Sequence, residues 1–475
     1  MSRLILGPII GGLSTSSANL WGRGDGEGVL HAWLGRQPNL SDAFLAARSL
    51  PLTAENGFCG VAPLKDLTPN TQYYYTLSFV NSPPDSSIRP YPTFTTFPEI
   101  GKRESFTFIF GSCFLPPDAE SGIIFERIGE HRQREDIRFW MQIGDQIYAD
   151  DAQHNGIDKI SVTLEDYRKV YRYSWSRPVL QHLLANFPAF MIMDDHDVED
   201  DWCWVDLERF TATIPWWNRL KRWWNRIPLE ERQFPRQRVQ AALKAYWEHQ
   251  AMHGPPLLNS PSLDDVGRYD LSSPQTGGLD YSFEYGSAAF YVLDTRTQRV
   301  KNRRQRIMLS EIQWNSLENW LVAVKDAFPV KFIVSSGAIL YRFFLDIPAD
   351  RWSGFAKDRD RLLGLLAKHN VQGVYFLTGD LHAAHALQAD YPSSNGSTHR
   401  FWEFCSTPFN QQPNKTSGTL FNPFRFWQLE NLHLEFRVAA NNYGIIRVDF
   451  SSGEQAQVQF EVYGEDGQLL GRAGD

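Results

Sequence analysis

The residues of this chain best suited to chemistry are concentrated in one short acidic run, residues 194–201. The run contains six carboxylates and one imidazole, and it directly follows the apolar stretch 190–193. Carboxylates at this density repel one another unless protons or cations neutralise them, and a metal site is the simplest source of cations. A solvated acidic loop would explain the charge but not its position at a strand end, around His196. We therefore predict metal binding here.

The same arrangement occurs three more times, each time as an apolar run that stops abruptly in residues able to bind metal. The runs are 106–110 before Cys113, 139–143 before Asp145 and Tyr148, and 374–377 before Asp380 and His382. Short apolar runs bounded by glycine predict buried strands of a largely parallel sheet. Because ligands bind outside the carboxyl ends of such strands, the four strand ends predict a site for several metal ions at one sheet edge.

At these residues the chain resembles the alkaline phosphatase D (PhoD-like) family, a branch of the calcineurin-like metallophosphatases. The motifs that carry the resemblance are 111–113, 144–149, 194–197 and 379–382, supported by 293–297, 350–354 and 359–363. The resemblance spans the whole chain. It implies a four-layer α/β/β/α metallophosphatase domain, whereas the strand periodicity by itself supports only a mixed α/β fold. It also implies a hydrolase of phosphomonoesters, phosphodiesters or both that uses a metal-activated water.

The resemblance further implies which residues hold the metals. Cys113 and Tyr148 would hold iron (Fe³⁺), since thiolate and phenolate donors suit ferric iron, and Asp145 would bridge to a second ion. The implied set is completed by Asp194, Asp195, Asp200, Asp380 and His382. Calcium is the second metal suggested by the family, because carboxylates suit hard divalent cations. Members of the family often have Glu after the His, and Asn at the position where this chain has Asp200 or Asp201. Because this chain differs there, the identity of the second metal stays open between calcium and another divalent ion.

Two histidines near the motifs are candidates for further roles. His196 is the predicted general acid, or a hydrogen-bond donor to the ester, because an imidazole titrates near neutrality. A role in orienting the loop is the alternative. His385 follows His382 by three residues and would share a helical face with it if a helix begins there. A structural role for His385 is equally open.

Arginines are the predicted substrate-binding residues, because a guanidinium group matches phosphate bidentately. Arg296 and Arg342 are the principal candidates, and Arg359 and Arg361 are further ones. An ordinary surface arginine is the alternative for each. The predicted partner is a phosphate-ester substrate, and the oligomeric state stays open.

Composition limits the setting. At 475 residues and 42% hydrophobic, the chain can bury one large core and a smaller domain. Its net charge of -8 gives no support to nucleic-acid binding, which a basic domain would indicate. The four cysteines have no CxxC spacing and are expected to be reduced. There is no apolar run of about 18 residues and no signal-like N-terminus, so a cytoplasmic protein is expected.

Two domains are predicted. Residues 1–98 alternate like antiparallel strands, and the region 67–75 resembles the tyrosine region of a fibronectin type III-like β-sandwich. Residues 101–475 form the catalytic domain, with a Trp-rich helical insertion near 203–235. The region 234–253 is predicted to be a second amphipathic helix, and 444–450 with 456–462 a hairpin that extends the sheets.

The Trp-rich segment 215–227 is not explained by phosphatase chemistry. One helical face of this segment is apolar and comprises Trp216, Leu220, Trp223, Trp224 and Ile227. The four basic residues lie mostly elsewhere: Arg219, Lys221, Arg222 and Arg226. Such a helix is a candidate for a membrane interface. The favoured alternative is a lid whose Trp face packs on the catalytic domain or on a second subunit. A non-catalytic, membrane-peripheral protein that binds metal or lipid phosphate is the rival function, and hydrolysis of a non-phosphate ester is a further one.

Overall fold

The computed structural model describes most of the chain. The residues outside the description are 1, 89, 117–121, 207–208, 210, 260–277, 342–349, 393–397, 416–429, 452–455 and 475. No helix in the described part combines the length and the apolar composition that crossing a bilayer requires.

The N-terminal region consists of seven strands in two antiparallel sheets. The strands are β1 (Leu4–Gly11), β2 (Ala18–Gly24), β3 (His31–Gly35), β4 (Phe44–Arg48), β5 (Cys59–Leu64), β6 (Gln72–Ser78) and β7 (Thr93–Thr95). Their orders are β1-β2-β5 and β4-β3-β6-β7. Buried and partly exposed residues alternate along β6, as expected when one sheet face is covered. The Tyr73 hydroxyl accepts a hydrogen bond from the Thr68 backbone N–H at 2.9 Å.

The next part of the chain mixes helices and strands. Its elements are β8 (Phe106–Gly111), α1 (Ile123–Arg134), β9 (Ile137–Ile143), α2 (Leu164–Trp175), α3 (Pro178–Asn186), β10 (Ala189–Ile192), β11 (Cys203–Asp206), β12 (Thr211–Thr213), α4 (Trp216–Trp224), α5 (Leu229–Arg232) and α6 (Arg236–His249). Helix α2 begins at a capping box, in which Thr163 and Asp166 exchange side-chain and backbone hydrogen bonds. Pro178 starts α3, where its missing N–H costs no hydrogen bond.

The remaining elements complete two large sheets. They are β13 (Tyr281–Tyr285), β14 (Ala288–Val292), β15 (Val300–Lys301), β16 (Arg306–Ile307), α7 (Glu311–Val324), β17 (Val330–Gly337), α8 (Ala356–Lys368), β18 (Val374–Gly379), β19 (Ala384–Pro392), β20 (Thr398–Cys405), β21 (Glu430–Val438), β22 (Asn442–Asp449), β23 (Gln457–Gly464) and β24 (Leu469–Gly474). Short 3-10 turns occupy Ala54–Asn56, Ala251–His253 and Trp352–Phe355. The sheets run β10-β9-β8-β22-β23-β24 and β13-β14-β17-β18-β20-β19-β21. A smaller sheet has the order β12-β11-β15-β16.

The two large sheets pack against each other through aromatic rings. Phe108 of β8 meets Phe290 of β14 and Phe332 of β17 edge to face, with ring centroids 5.5 and 5.3 Å apart. All three side chains are fully buried. Aromatic pairs in this geometry add to the stabilisation that comes from burying apolar area. The core between the sheets therefore fixes the position of strand ends from both.

The predicted apolar strands are present, but their distribution differs from the expectation of one sheet edge. Strands β8, β9 and β10 are parallel neighbours in one sheet, whereas β18 belongs to the other. The site is therefore assembled from two sheets. The predicted C-terminal hairpin is confirmed as β22 and β23, which extend the β8 sheet. The predicted second amphipathic helix corresponds to α6, and the insertion carries two short strands besides its helices.

Candidate active site

Sharp turns at the strand ends bring the candidate metal-binding side chains together. Cys113, Asp145, Asp380 and His382 all have positive φ, between 52° and 65°. Non-glycine residues rarely adopt this conformation, and it concentrates at functional sites. Gly144 precedes Asp145 with φ 124°, and a Cβ there would approach the Asp194 Cβ to 2.7 Å. The chain can make this turn only with glycine.

Three overlapping groups of donor atoms contain Asp145. One joins it with Cys113 and His382, a second with Asp195 and His196, and a third with the carboxylates Asp194, Asp195 and Asp380. Within each group the donor atoms lie within 4.8 Å of one another. Among the predicted metal ligands, Tyr148 lies beside the first group, with its hydroxyl 3.3 Å from both Asp145 Oδ2 and His382 Nε2.

The electrostatics of these groups fit bound cations. Burial, together with the neighbouring carboxylates, raises the pKa of Asp145 well above its usual value, and burial followed by Asp194 and Asp195 raises the pKa of Asp380 to about 8. Burial also raises the pKa of the Cys113 thiol. Cations placed among these groups would remove this penalty on the charged forms. Thiol, phenol, imidazole and carboxylate donors suit a mixed metal site.

His382 is suited to act as a neutral ligand. Burial, with His196 nearby, lowers its pKa to about 4, which leaves a lone pair on the imidazole at neutral pH. His385 does not share a helix with it, because β19 begins at Ala384. The His385 ring instead lies 2.7 Å from Glu403 Oε1, and both side chains are fully buried. These contacts correspond to the structural alternative for His385.

His196 belongs to the donor group with Asp145 and Asp195, in an acidic surrounding. Its Nδ1 is 2.8 Å from Asp150 Oδ1, its Nε2 is 3.8 Å from Asp200 Oδ1, and its ring centroid is 4.2 Å from that of Tyr148. Burial opposes the imidazolium, but nearby carboxylates, Asp150 first, outweigh it and raise the pKa of His196 well above its usual value. Sequence reasoning missed Asp150, although it directly follows the 144–149 motif.

Asp194 and Asp200 have partners other than the expected ones. Arg296 forms a close ion pair with Asp194, and the Ser336 hydroxyl donates to the same carboxylate at 2.8 Å. Asp200 belongs to none of the donor groups found in the described residues. It accepts a hydrogen bond from Asn218 Nδ2 at 2.7 Å. Asp201, by contrast, lies with Asp195 and Asp350 in a further acidic group.

The arginines predicted to bind substrate occupy different surroundings. Arg296 is buried between Asp194 and Asp350, with its Nη2 2.7 Å from Asp350 Oδ2. Its Nη1 has no hydrogen-bond partner in the described part of the chain. Arg342 lies outside the described residues. Arg361 pairs with Glu311 on the surface of α8, and Arg359 with Asp360.

A cavity of about 1110 Å³ opens over the site. Tyr148, His196 and His382 line it from the side of the metal-binding groups. One wall is the polar side of α4, with Asn218 and Asn225, and residues 411–415 line it as well. The volume suits a small organic ligand. The cavity therefore gives a substrate access to the donor groups and to His196 together.

Helix α4 is held to the acidic run by charge. Arg222 is its buried side chain and forms a close ion pair with Glu199, which also pairs with Arg238 of α6. The Trp and Leu residues face outward instead, with 69% of Trp216, 61% of Trp223 and 77% of Trp224 exposed. The expectation that this face packs on the catalytic domain is therefore wrong for the described residues. The opposite face of α4 is turned inward, because its Arg222 pairs with the buried Glu199.

All four cysteines are buried and unbonded, as expected for reduced thiols. Cys113 alone among them belongs to a donor group in the described chain. Its placement next to Asp145, with Sγ 3.4 Å from Oδ2, distinguishes it from cysteines that only fill the core.

Comparison with known proteins is in agreement with this geometry. The pattern of the PhoD-like phosphatase family matches residues 108–460. Alkaline phosphatase D of Bacillus subtilis (strain 168) is 25% identical over 367 residues, which cover 69% of this chain and 54% of that protein. The matched region thus spans about half the length of this curated relative. The predicted resemblance is confirmed by these matches.

Two solved structures have a similar fold. A structure of PhoD has a TM-score of 0.69 at 19% identity, covering 99% of this chain and 92% of that one. Purple acid phosphatase PPD1 from yellow lupin (Lupinus luteus) has a TM-score of 0.58 at 12% identity, covering 98% and 73%. Similarity at these identities shows a shared mixed α/β fold.

Proposed function

The chain belongs to the PhoD-like phosphatase family, and from this premise we propose that it is a metal-dependent hydrolase of phosphate esters. The observation that carries the proposal is the position of Asp145 in overlapping donor groups, one with Cys113 and His382 and one with further carboxylates. A carboxylate shared in this way can hold two cations close together. Turnover of p-nitrophenyl phosphate or bis-p-nitrophenyl phosphate by the purified protein tests the activity. Absence of turnover with both would favour the non-catalytic rival.

We propose that the active domain has the four-layer α/β/β/α arrangement and that residues 1–98 form a fibronectin type III-like β-sandwich. The packing of the two large sheets through Phe108, Phe290 and Phe332 supports the two inner layers. The two antiparallel sheets of the N-terminal region support the sandwich. So does the hydrogen bond from the Thr68 N–H to the Tyr73 hydroxyl, since such a tyrosine contact recurs in these domains. The boundary would lie near residue 101.

The metals we propose are iron (Fe³⁺) at Cys113, Tyr148, Asp145 and His382, and calcium or another divalent ion at the carboxylates Asp195 and Asp380. When bound, the cations supply Lewis-acid polarisation of the phosphoryl group and activate a water molecule. Asp194 supports this set from its ion pair with Arg296. Arg296 in turn balances part of the negative charge through its ion pairs with Asp194 and Asp350.

For His196 we propose the role of proton donor to the leaving group. Asp150 accepts from Nδ1, so the ring is oriented and its charged form is stabilised. Asp200 lies on the Nε2 side at 3.8 Å. The nearby carboxylates, Asp150 first, raise the pKa of His196 and so favour the charged, proton-donating form of the ring.

Replacing His196 with glutamine should therefore slow hydrolysis according to the leaving group. We expect kcat/KM for an alkyl phosphate to fall about a hundredfold or more. The decrease for p-nitrophenyl phosphate should be much smaller, because p-nitrophenolate leaves without a proton. Steady-state kinetics on the two substrates measures the difference. An equal decrease with both would assign His196 to loop orientation instead.

Tyr148→Phe tests the proposed iron. A phenolate or thiolate bound to ferric iron gives a visible charge-transfer band, so the purified protein should be coloured and the variant should have a shifted or weaker band. The Phe side chain keeps the volume of the ring. Absorption spectra of equal concentrations provide the comparison. A colourless, iron-free and fully active parent protein would contradict the iron assignment and favour divalent ions throughout.

A further inference from the structure

The outer face of helix α4 is an exposed aromatic surface next to the cavity. Of the fifteen exposed large apolar side chains in the described part of the chain, four lie on this one helix: Trp216, Leu220, Trp223 and Trp224. In the described part of the chain, no tryptophan outside this helix is among the exposed large apolar residues. We call these four residues the α4 outer face. Exposing this much aromatic area to water is unfavourable, so the face requires an occupant.

The charges around this face select the occupant. The segment 215–227 has four basic residues and no acidic one, within a chain whose net charge is -8. Arg222 is used internally, in its ion pair with Glu199, whereas Arg219, Lys221 and Arg226 are exposed. Tryptophan on the apolar side and basic residues at the flanks are the pattern of helices that lie in the interface of an anionic bilayer.

A second copy of the chain fits this face poorly. In a twofold dimer the same patch meets itself, so the exposed cations of one copy would approach those of the other, which is unfavourable. A single helix of nine residues is also small beside the roughly 800 Å² per partner that a stable interface buries. A bilayer surface avoids both difficulties, because anionic headgroups meet the cations and the indole rings enter the interfacial layer.

We propose that the α4 outer face is a docking surface for anionic lipid bilayers. The contact between the helix and Glu199 is what makes this geometry available. It turns Arg222 inward and leaves the Trp residues outward. The opposite side of α4 lines the cavity through Asn218 and Asn225, so docking brings the cavity mouth next to the headgroups. Phosphate esters at a bilayer surface would then be within reach of the cavity. Hydrolysis of such esters rests on the proposed function, whereas binding of the α4 outer face to the bilayer does not.

Co-sedimentation with vesicles tests the proposal. The full-length protein should sediment with vesicles of phosphatidylcholine containing phosphatidylserine and much less with phosphatidylcholine alone. Binding should weaken as salt is raised from about 0.1 M to about 1 M, because the screening length shortens from about 10 Å to about 3 Å. The double variant Trp223→Ser and Trp224→Ser should bind at least about tenfold more weakly. Replacing Arg219 and Arg226 with glutamine should reduce binding to the anionic vesicles by about tenfold.

A matched control removes exposed apolar side chains elsewhere. Phe44→Ser combined with Leu50→Ser alters residues that are 56% and 84% exposed in the N-terminal region, and this variant should bind vesicles like the parent. Equal loss in this control would overturn the proposal. So would a parent protein that stays in the supernatant with both vesicle types. If the parent does not bind vesicles, two results would give the face another occupant. Dissociation of a dimer in the Trp223 and Trp224 variant would assign the face to a second copy. A lower Tm of this variant would assign it to packing within the chain itself.

Discussion

Replacing Asp145 with alanine should remove bound metal and turnover together. Asp145 is fully buried and is shared by overlapping donor groups. Its loss would therefore leave two bound cations without a shared carboxylate and would increase their repulsion. We expect turnover of a phosphate ester to fall by about a thousandfold or more, which corresponds to about 4 kcal/mol of transition-state stabilisation. Metal analysis of the purified variant, beside its kcat/KM, measures both effects.

The control for this change is Asp136→Ala. Asp136 precedes β9 at the end opposite Asp145, and its side chain is 80% exposed in a surface pair with Arg138. Surface pairs of this kind contribute little, so metal content and turnover should stay near those of the parent. If the Asp145→Ala variant keeps the metal content of the parent, Asp145 is not a carboxylate shared between two bound cations.

The second large effect concerns stability. Glu199→Gln should lower the free energy of unfolding by about 3 kcal/mol or more, because it leaves two guanidinium groups buried without their carboxylate. Glu199 is fully buried and pairs with Arg222 and Arg238. Glutamine preserves the shape of the side chain, so the loss reports on charge. Urea unfolding of the parent and the variant at matched metal content measures the difference. Helix α4, which lines the cavity, should unfold first.

The control is Glu318→Gln on α7. Glu318 pairs with Lys368 at 2.7 Å and is partly exposed, so we expect its loss to cost about 1 kcal/mol or less. If Glu199→Gln is no more destabilising than this control, the ion pairs of Glu199 do not hold α4, and the outward orientation of the Trp face loses its physical explanation.

Much of the site could be predicted from the sequence, because its signal is local. An apolar run followed by glycine and a metal-binding residue predicts a strand end, and Cys113, Asp145 and Asp380 indeed follow β8, β9 and β18. The left-handed conformation at these three residues is a consequence of the same turns. The local sequence pattern does not indicate which sheet each strand belongs to. For that reason the site was expected at one sheet edge, whereas two sheets contribute to it.

The separate roles of the carboxylates within the acidic run could not be predicted from the sequence. Asp197 and Glu199 carry the same chemical group as the candidate ligands of the run, but their partners are far along the chain. Asp197 accepts hydrogen bonds from Tyr171 and Gln250, and burial raises its pKa to about 7. Glu199 pairs with arginines 23 and 39 residues away. Only the folded structure separates such structural carboxylates from those that are left for metals.

The expected packing of the Trp face of α4 on the catalytic domain was wrong for a related reason. Periodicity identifies the apolar face of a helix, and the usual inference is that this face is buried. Here the ion pair of Arg222 with a fully buried carboxylate decides the orientation. Turning Arg222 outward would leave the fully buried Glu199 with Arg238 as its remaining ion-pair partner in the described part of the chain, and weakening a buried ion-pair network is unfavourable. A helix with a basic face next to an acidic run should therefore be examined for this inverted arrangement.

The central claim is a phosphate-ester hydrolase that depends on two neighbouring cations, and metal removal followed by metal return tests it most directly. Metal analysis of the purified protein should find about two ions or more per chain. Hydrolysis of bis-p-nitrophenyl phosphate or p-nitrophenyl phosphate should disappear on chelation and return when iron and calcium are added together, and less with either metal alone. Full hydrolysis by a protein stripped of its metals would contradict the account.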